Sequence, residues 1–513
     1  MLDVLPAIAS LAEERRALTD DAHKAQWGQF FTVPVVATFM AGMLTPPEDT
    51  TEVTVLDPGA GAGILGVSAA RGLLEAGAGA VHVVAVEADP SVLPLLERAL
   101  VLAQAQLGER FRFTIHAGDF LGLQQPRIGQ SPLPTVDVVV ANPPYFKMSP
   151  TEEHGGNAPN AYARFMEVSA SMLRPGGQLV FIVPRSFASG FYFQRFRRRF
   201  HGQLVLERAH VFASRRDAFQ DDDVLQENII VAYRRGGTPA DPVTISSSKG
   251  VGDLAEARSF VAERREVLRP HDPHGVVYLP TCAEDAATMQ TVFAWRGSLR
   301  GLGLEVSTGP VVPFRSTEDL VREGGADTVP LLWMQHVRQG VVRWPLGTFR
   351  KPEHMSTDAG DKILLPNRTC ILLRRFSAKE EPRRLTVAVL RAGRLPGKRI
   401  GLENHLNYIY RPVGVLDDEL ALGLAALLSS TLIDAFFRIQ SGNTQVSATE
   451  LRALPLPAES ILREIGRAVD AAGDDVLTRQ EDVDTLVVGI VDPQRRECST
   501  PLSAQDGVVA GVI

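Results

Sequence analysis

Cysteine is scarce in this chain. Three residues, Cys282, Cys370 and Cys498, stand among 513 and lie far apart. That spacing excludes a disulfide framework and a cysteine-based zinc site, and none of the three is marked as a nucleophile. Long apolar runs are also missing. The stretch Val33–Leu44 is too short to span a bilayer. The first residues carry no signal-peptide pattern, so the expectation is a cytoplasmic protein with no membrane partner. There is no internal repeat. The net charge is only −7, so no global excess of one sign announces a polyanionic or polycationic partner.

What is present is ordinary globular material, in uneven order. A chain of 513 residues is too long for one ordinary domain, and its 45% hydrophobic content is enough for large cores. Between Asn367 and Arg411, eleven Lys or Arg face three acids. From Glu459 to the end, eleven acids face five arginines. A basic middle and an acidic tail are thus averaged away, and the basic block is expected to meet phosphates. Strand-like runs at 52–57, 81–87, 111–116, 136–141, 178–184 and 228–234 alternate with helical stretches. They predict an α/β, doubly wound parallel sheet. A Gly/Pro/Ser-rich stretch at 236–250 suggests a boundary. The expected divisions are a helical segment 1–24, a sheet domain 25–245, a mixed α+β domain 246–457 and an acidic helical tail 458–513, partly loose.

Four strand ends carry chemistry. Val53 to Asp57 reads as a strand that runs into the Gly-rich turn Gly59-Ala60-Gly61-Ala62-Gly63. Glycines there let a ligand approach the backbone closely. Twenty-four residues after Gly63, the run Val83 to Val86 ends in Glu87, a carboxylate placed to accept the two hydroxyls of a ribose. Asp57 precedes the glycines, where an acid suits a cationic amino-acid group better than a phosphate. A third run, Phe111 to Ile115, leads to Asp119-Phe120, an acceptor for an adenine amino group beside an aromatic ring. The fourth, Val136 to Ala141, leads to Asn142-Pro143-Pro144-Tyr145. There an amide oxygen and a carbonyl held by a stiff proline turn can accept both hydrogens of an –NH2 group, next to a flat ring. Taken alone, each could be a plain turn, a packed tyrosine or an exposed strand-end acid.

With Gly28-Gln29-Phe30-Phe31-Thr32-Val33-Pro34 in front of them, these motifs give the chain its family likeness. It resembles the gamma class of N6-adenine DNA methyltransferases, the group with the TaqI-like and PstI/BsuBI-like modification enzymes of type II restriction-modification systems. The likeness extends to Asp223–Ile230, Glu403–Ile409 and Gly442–Val446, covering roughly residues 25–457. It implies a cofactor, S-adenosylmethionine, held by Thr32, Asp57, Gly59, Gly61, Glu87, Asp119 and Phe120. It implies catalysis by Asn142, Pro143 and Tyr145 on an adenine flipped out of double-stranded DNA. Tyr145 would stack on one face of that base and Phe219 on the other, with Phe212 as the alternative. Residues 246–457 would then be the DNA target-recognition domain. Arg338, Arg343, Arg374, Arg375, Asn404, His405, Asn407, Asn443 and Gln445 are available there to read bases or hold phosphates, although at least half of them are expected to be structural. A cognate restriction endonuclease would be a separate chain, since no Pro-Asp…Asp/Glu-x-Lys constellation is found in the C-terminal half. Two rival readings stay open: an RNA or protein-glutamine methyltransferase using the same Asn-Pro-Pro-Tyr motif, and a DNA-specificity subunit without catalysis.

Overall fold

The structure is a computed structural model that describes residues 4–17, 32–48, 50–123, 133–145, 160–213, 227–238, 241–360, 362–377, 381–442, 445–473 and 475–491. The chain divides into two compact units, one of residues 1–287 with 439–443, the other of residues 288–438 with 444–513.

The first unit is built on a nine-stranded sheet. Its strands are β1 (Glu52–Asp57), β2 (Ala80–Glu87), β3 (Phe111–Ala117), β4 (Val136–Ala141), β5 (Leu173–Pro184), β6 (Leu204–Phe212), β7 (Asn228–Arg235), β8 (Val243–Ser248) and β9 (Arg258–Ala262). They lie in the order β3-β2-β1-β4-β5-β7-β6-β8-β9. The first five pair in parallel, with Asp57 opposite Ala85 and Ala141 opposite Phe181. β7 runs antiparallel to both β5 and β6. The sheet is therefore doubly wound as expected, but mixed rather than wholly parallel. Every residue of β4 is buried, which is why its sequence is a near-continuous apolar run rather than an alternating one. Helices α1 (Val4–Ala17), α2 (Pro34–Ala41), α3 (Ile64–Glu75), α4 (Leu93–Leu107), α5 (Ala161–Met172) and α6 (Gln194–His201) belong to this unit. Two apolar cores form in it, one joining α1 to α4 with β1 and β2, the other gathering α5 and α6 with β5, β6 and β7.

The division of the chain falls elsewhere than at 245/246. The Gly/Pro/Ser-rich stretch contains β8, which pairs with β6, and β9 follows as the last strand of the same sheet. The composition that suggests a linker is that of β8, a Ser/Thr-rich strand next to the sheet edge. β6 is also a strand that the apolar pattern does not reveal, because Glu207 and Arg208 interrupt it. The register shifts there between Leu206 and Arg208, and Glu207 pairs with Arg234 on β7.

The second unit holds a four-stranded sheet (305–308, 406–410, 370–374, 387–390) and a five-stranded one (320–321, 354–356, 328–332, 399–402, 364–366). A helix pair, Asp418–Ser429 and Glu459–Ala472, packs with almost no gap. A Cβ on Gly423 would collide with the Leu462 carbonyl, and one on Gly466 with the Glu419 carbonyl. Arg463 closes the contact with two bonds to Asp417, at 2.9 and 3.0 Å. The start of the expected acidic tail is thus part of the core of this unit. Among the described residues no single helix is long and apolar enough to cross a membrane. The bent pair Asp418–Ser429 and Thr431–Gln440 passes on length and composition, but the whole apolar length of its first helix is buried.

Backbone on both sides of the glycine contact leaves no flexible group to yield. Gly466→Ala is therefore expected to lower the stability of the protein by about 1–3 kcal/mol, read as a lower urea midpoint, whereas Ala at the exposed, unobstructed Gly325 should leave the midpoint unchanged.

Candidate active site

Chain direction sets the site. Because β3, β2, β1 and β4 are adjacent and parallel, Asp119, Glu87, Asp57 and Asn142 all follow or end strands at one edge of the sheet. Ligands of open α/β sheets bind at that edge.

Asp57 is buried, and its Oδ2 accepts from the Gly66 amide in the first turn of α3 at 3.0 Å. Its Oδ1 is buried with no hydrogen-bond partner among the described residues. Burial, opposed by the Gly66 amide and aided by the charge of Glu87, pushes this carboxyl up to about 7. A buried acceptor without a partner is a cost that a cationic ligand would relieve. Glu87 is also buried. Its Oε2 accepts from the Gly61 amide and its Oε1 from the Asp89 amide, each at 2.8 Å. Those bonds fix the carboxylate against the glycine turn and leave each oxygen a further lone pair. Burial raises its pKa too. The turn needs its glycines, since Gly61 and Gly63 have φ of +52° and +80°. Gly59 faces open space except for Phe165, 3.8 Å from where a Cβ would stand. Asp119 is exposed, and its Oδ1 accepts from the Leu121 amide at 3.2 Å. Phe120 is buried, with its ring 5.2 Å from that of Phe165. An acceptor without a partner, a fixed carboxylate and a glycine cradle fit a ligand carrying an ammonium group and a ribose.

At the end of β4 the Asn142 amide nitrogen donates to the Thr32 hydroxyl at 3.2 Å. Two residues 110 positions apart, one from each end of the predicted motif set, thus meet. The Tyr145 hydroxyl reaches Asn142 Oδ1 at 2.8 Å and the Ile182 carbonyl of β5 at 3.1 Å. Its ring stands edge-on to that of Tyr162, with centroids 6.2 Å apart. Burial raises the Tyr145 pKa, so the phenol stays protonated. Pro143 is buried between them in sequence. Sequence reasoning missed Arg185, which directly follows β5 and forms a buried ion pair with Glu227 at 2.7 Å. A lone arginine after a strand end was the available signal.

Other expected residues are placed less simply. Phe219 and Asn443 lie outside the described residues. Phe212, the alternative to Phe219, is 2% exposed. It ends β6 inside the core, its ring 4.7 Å from the buried His210, so its role is packing. Arg374 is half-buried and donates to the carbonyls of Met334 and Val337 at 3.1 and 2.7 Å. Arg375 donates to the Asn404 carbonyl at 3.1 Å and reaches Gln445 at 3.5 Å. Asn404 is half-buried with its Oδ1 unpartnered among the described residues. Asn407 is fully buried between Thr308 and the Val446 carbonyl, and His405 pairs with the buried Glu403. Arg383, Arg384 and Arg391 of the basic block are likewise held by internal acceptors. Arg338 and Arg343 are exposed, on and just after a small hairpin in which Val337–Arg338 pairs with Val341–Val342.

The edge carries acids at the ends of β1 and β2 and Asn-Pro-Pro-Tyr after β4, and comparison with known proteins gives the class, a methyltransferase of restriction-modification systems. The family model described as Eco57I restriction-modification methylase matches residues 134–219. Type II methyltransferase M.PstI of Providencia stuartii is 32% identical over 476 residues, 90% of this chain and 93% of the relative. M.BsuBI of Bacillus subtilis is 32% identical over 460 residues, 87% and 91% of the two chains. The chain belongs to the family of type II methyltransferases that these two represent. Among solved structures, the type IIL restriction-modification enzyme MmeI in complex with DNA is similar at a TM-score of 0.52 and 12% identity, over 94% of this chain and 73% of that one. That likeness is one of fold.

The raised pKa of Asp57 has two consequences. Between about pH 4 and 7 the folded protein binds a proton that the unfolded chain has released, so this group's contribution to stability falls as pH rises through that window and levels off above it. A cationic ligand needs the ionised form, so its affinity should move the other way. S-adenosylmethionine binding, measured calorimetrically, is expected to tighten from pH 5.5 to 7.5, by up to about tenfold per unit below the pKa. Asp57→Asn should bind more weakly and lose most of that slope.

Proposed function

We propose that this chain is a site-specific DNA methyltransferase that transfers a methyl group from S-adenosylmethionine to N6 of an adenine flipped out of a specific double-stranded sequence. The modification would protect that sequence from a cognate restriction endonuclease carried on a separate chain. The observation that carries the reading is Asn142-Pro143-Pro144-Tyr145 at the end of β4, tied to Thr32 through the Asn142 amide.

The cofactor supplies an already activated methyl group on a sulfonium. Thr32, Asp57, Gly59, Gly61, Glu87, Asp119 and Phe120 would hold it. Asp57 would take its ammonium group and Glu87 its ribose hydroxyls. Adenine N6 is a weak nucleophile because its lone pair is spread into the ring. Asn142 Oδ1 and the Pro143 carbonyl accept its two hydrogens and so favour a tetrahedral nitrogen with a localised pair. This is stabilisation by fixed dipoles aimed at the charge that develops on N6. The Thr32 and Tyr145 bonds keep the Asn142 amide from turning, so little reorganisation is needed during reaction. The single proton of the Tyr145 hydroxyl, shared between Asn142 Oδ1 and the Ile182 carbonyl, orients its ring as a stacking face for the flipped base. Such stacking returns about 1–3 kcal/mol against the few kcal/mol that extrusion costs. Phe219 is the proposed second face.

In the second unit, Arg338 and Arg343 are the proposed DNA contacts, because both residues are exposed, one on and one just after the same small hairpin. Arg374, Arg375 and Asn404 are proposed to shape that surface through the carbonyl bonds they make or accept.

The reading is tested with the purified protein, tritiated S-adenosylmethionine and duplex oligonucleotides of varied sequence, followed by nucleoside analysis. Label in N6-methyladenine of one sequence context is expected. Label in RNA or in a glutamine of a release factor, or in no nucleic acid, would overturn the proposal. In the same assay Asn142→Ala should lower kcat by about 10²–10³-fold and leave cofactor affinity unchanged. Arg338→Ala with Arg343→Ala should weaken DNA binding and reduce the salt slope of log K by about 0.9 for each phosphate left without its arginine. An unaltered slope would remove the hairpin from the interface.

A further inference from the structure

Three segments of the family likeness have no part in the chemistry above: 223–230, 403–409 and 442–446. The structure connects the described parts of all three. Glu227, just before β7, and Arg185, just after β5, form a buried ion pair at 2.7 Å. Their backbones are joined as well, with the Arg185 amide donating to the Glu227 carbonyl at 2.7 Å. The second Arg185 amino group donates to the Ile439 carbonyl, again at 2.7 Å. A Cβ on Gly442 would collide with Glu227 Oε2 and stand 2.7 Å from Arg185 Cδ. Residues 439–442 thus lie directly on this ion pair and belong to the first unit, although the chain on both sides belongs to the second. Just beyond, Val446 donates to the Arg375 carbonyl at 2.7 Å and accepts from Asn407 at 2.7 Å. Those contacts lie in the second unit.

We infer that Arg185 is a positioning residue that ties the 439–442 strap to the target-base pocket. Three residues before Arg185 on the same strand, the Ile182 carbonyl receives the Tyr145 hydroxyl, which also reaches Asn142 Oδ1, and Asn142 in turn bonds Thr32. A continuous run of short contacts therefore leads from the strap through Arg185 and the end of β5 to the group proposed to accept the N6 hydrogens. Arg suits the post because its planar fork serves a carboxylate and a carbonyl at once, which a lysine ammonium on a flexible stem does not. Gly442 suits it because any side chain would push the strap off the pair. Four residues beyond the strap, Val446 is held within the second unit by Arg375 and the buried Asn407. The placement of residues 439–442 thereby helps to fix the end of β5, against which Tyr145 is held. This inference rests on the methyltransferase reading and adds to it a coupling residue outside the pocket.

The test uses the whole chain with Arg185→Lys and Gly442→Ala. Two readouts are made: kcat per active site, with active sites counted by a single-turnover burst, and hydrogen exchange resolved on peptides covering 142–145, 178–186 and 52–87. The expected result for Gly442→Ala and Arg185→Lys is a fall in kcat of about tenfold, with unchanged cofactor affinity. Exchange should rise in 142–145 and 178–186 and stay at the wild-type level in 52–87. A merely structural role would lower the active fraction, the cofactor affinity and the protection of all three peptides together, and that pattern would overturn the inference. So would wild-type kcat and exchange in both variants. Should Arg185→Lys not fold, Gly442→Ala decides, because it leaves the ion pair chemically intact. Failure of the methyltransferase reading would show separately, as absence of adenine label with the wild-type protein, while the exchange pattern would still report on the strap.

Discussion

The site depends on a constraint of chain direction. Four neighbouring strands run the same way, so four loops that are remote in sequence open on one edge. At that edge the sheet buries polar groups as well as apolar ones. Asp57 and Glu87 are both inside, each held by backbone amides and each with a pKa raised by burial. Hydrogen bonds to amides favour the charged form and burial disfavours it, and here burial has the larger effect. The outcome is a pair of acids kept short of full solvation, which suits the cation and the two hydroxyls that they are proposed to receive.

The part of this arrangement visible in the sequence is the part that obeys simple periodicity. β1, β2 and β4 are nearly continuous apolar runs because both faces of a parallel sheet are covered, and an acid or Asn at the end of such a run stands out. The strand-end positions of Asn142, Asp57 and Glu87 are therefore legible in the sequence alone. β6 could not, since Glu207 and Arg208 break its pattern at a bulge. β8 could not either, because a strand rich in Ser and Thr beside Gly and Pro looks like a linker, and β9 is too short and too exposed to show an apolar run. The displaced boundary between the units follows from the same ambiguity.

Arginine is where composition misleads most. Eleven basic residues between 367 and 411 suggested a phosphate-binding surface. Yet Arg374, Arg375, Arg383, Arg384 and Arg391 are each engaged by carbonyls, hydroxyls or carboxylates of the protein itself. A guanidinium has five donors, and a loop-rich domain offers many unsatisfied carbonyls, so arginine serves as internal scaffolding as readily as it serves as a DNA contact. Charge counts cannot separate the two uses. Arg338 and Arg343, on and just after the small hairpin, are by contrast exposed.

The same logic gives the buried Arg185–Glu227 pair its interest. Removing two charges from water costs more than their attraction is sure to return, so a buried pair is weak support for stability as such. What the pair does supply is direction. Its carboxylate and guanidinium accept a narrow range of geometries, and here they are matched to two strand ends, to the Ile439 carbonyl and to the one residue type that can lie against them, Gly442. An apolar cluster in that place could be as stable but would tolerate sliding. On the proposed reading, in which the target nitrogen is gripped by both its hydrogens, a wall that cannot slide offsets the cost of burying charge.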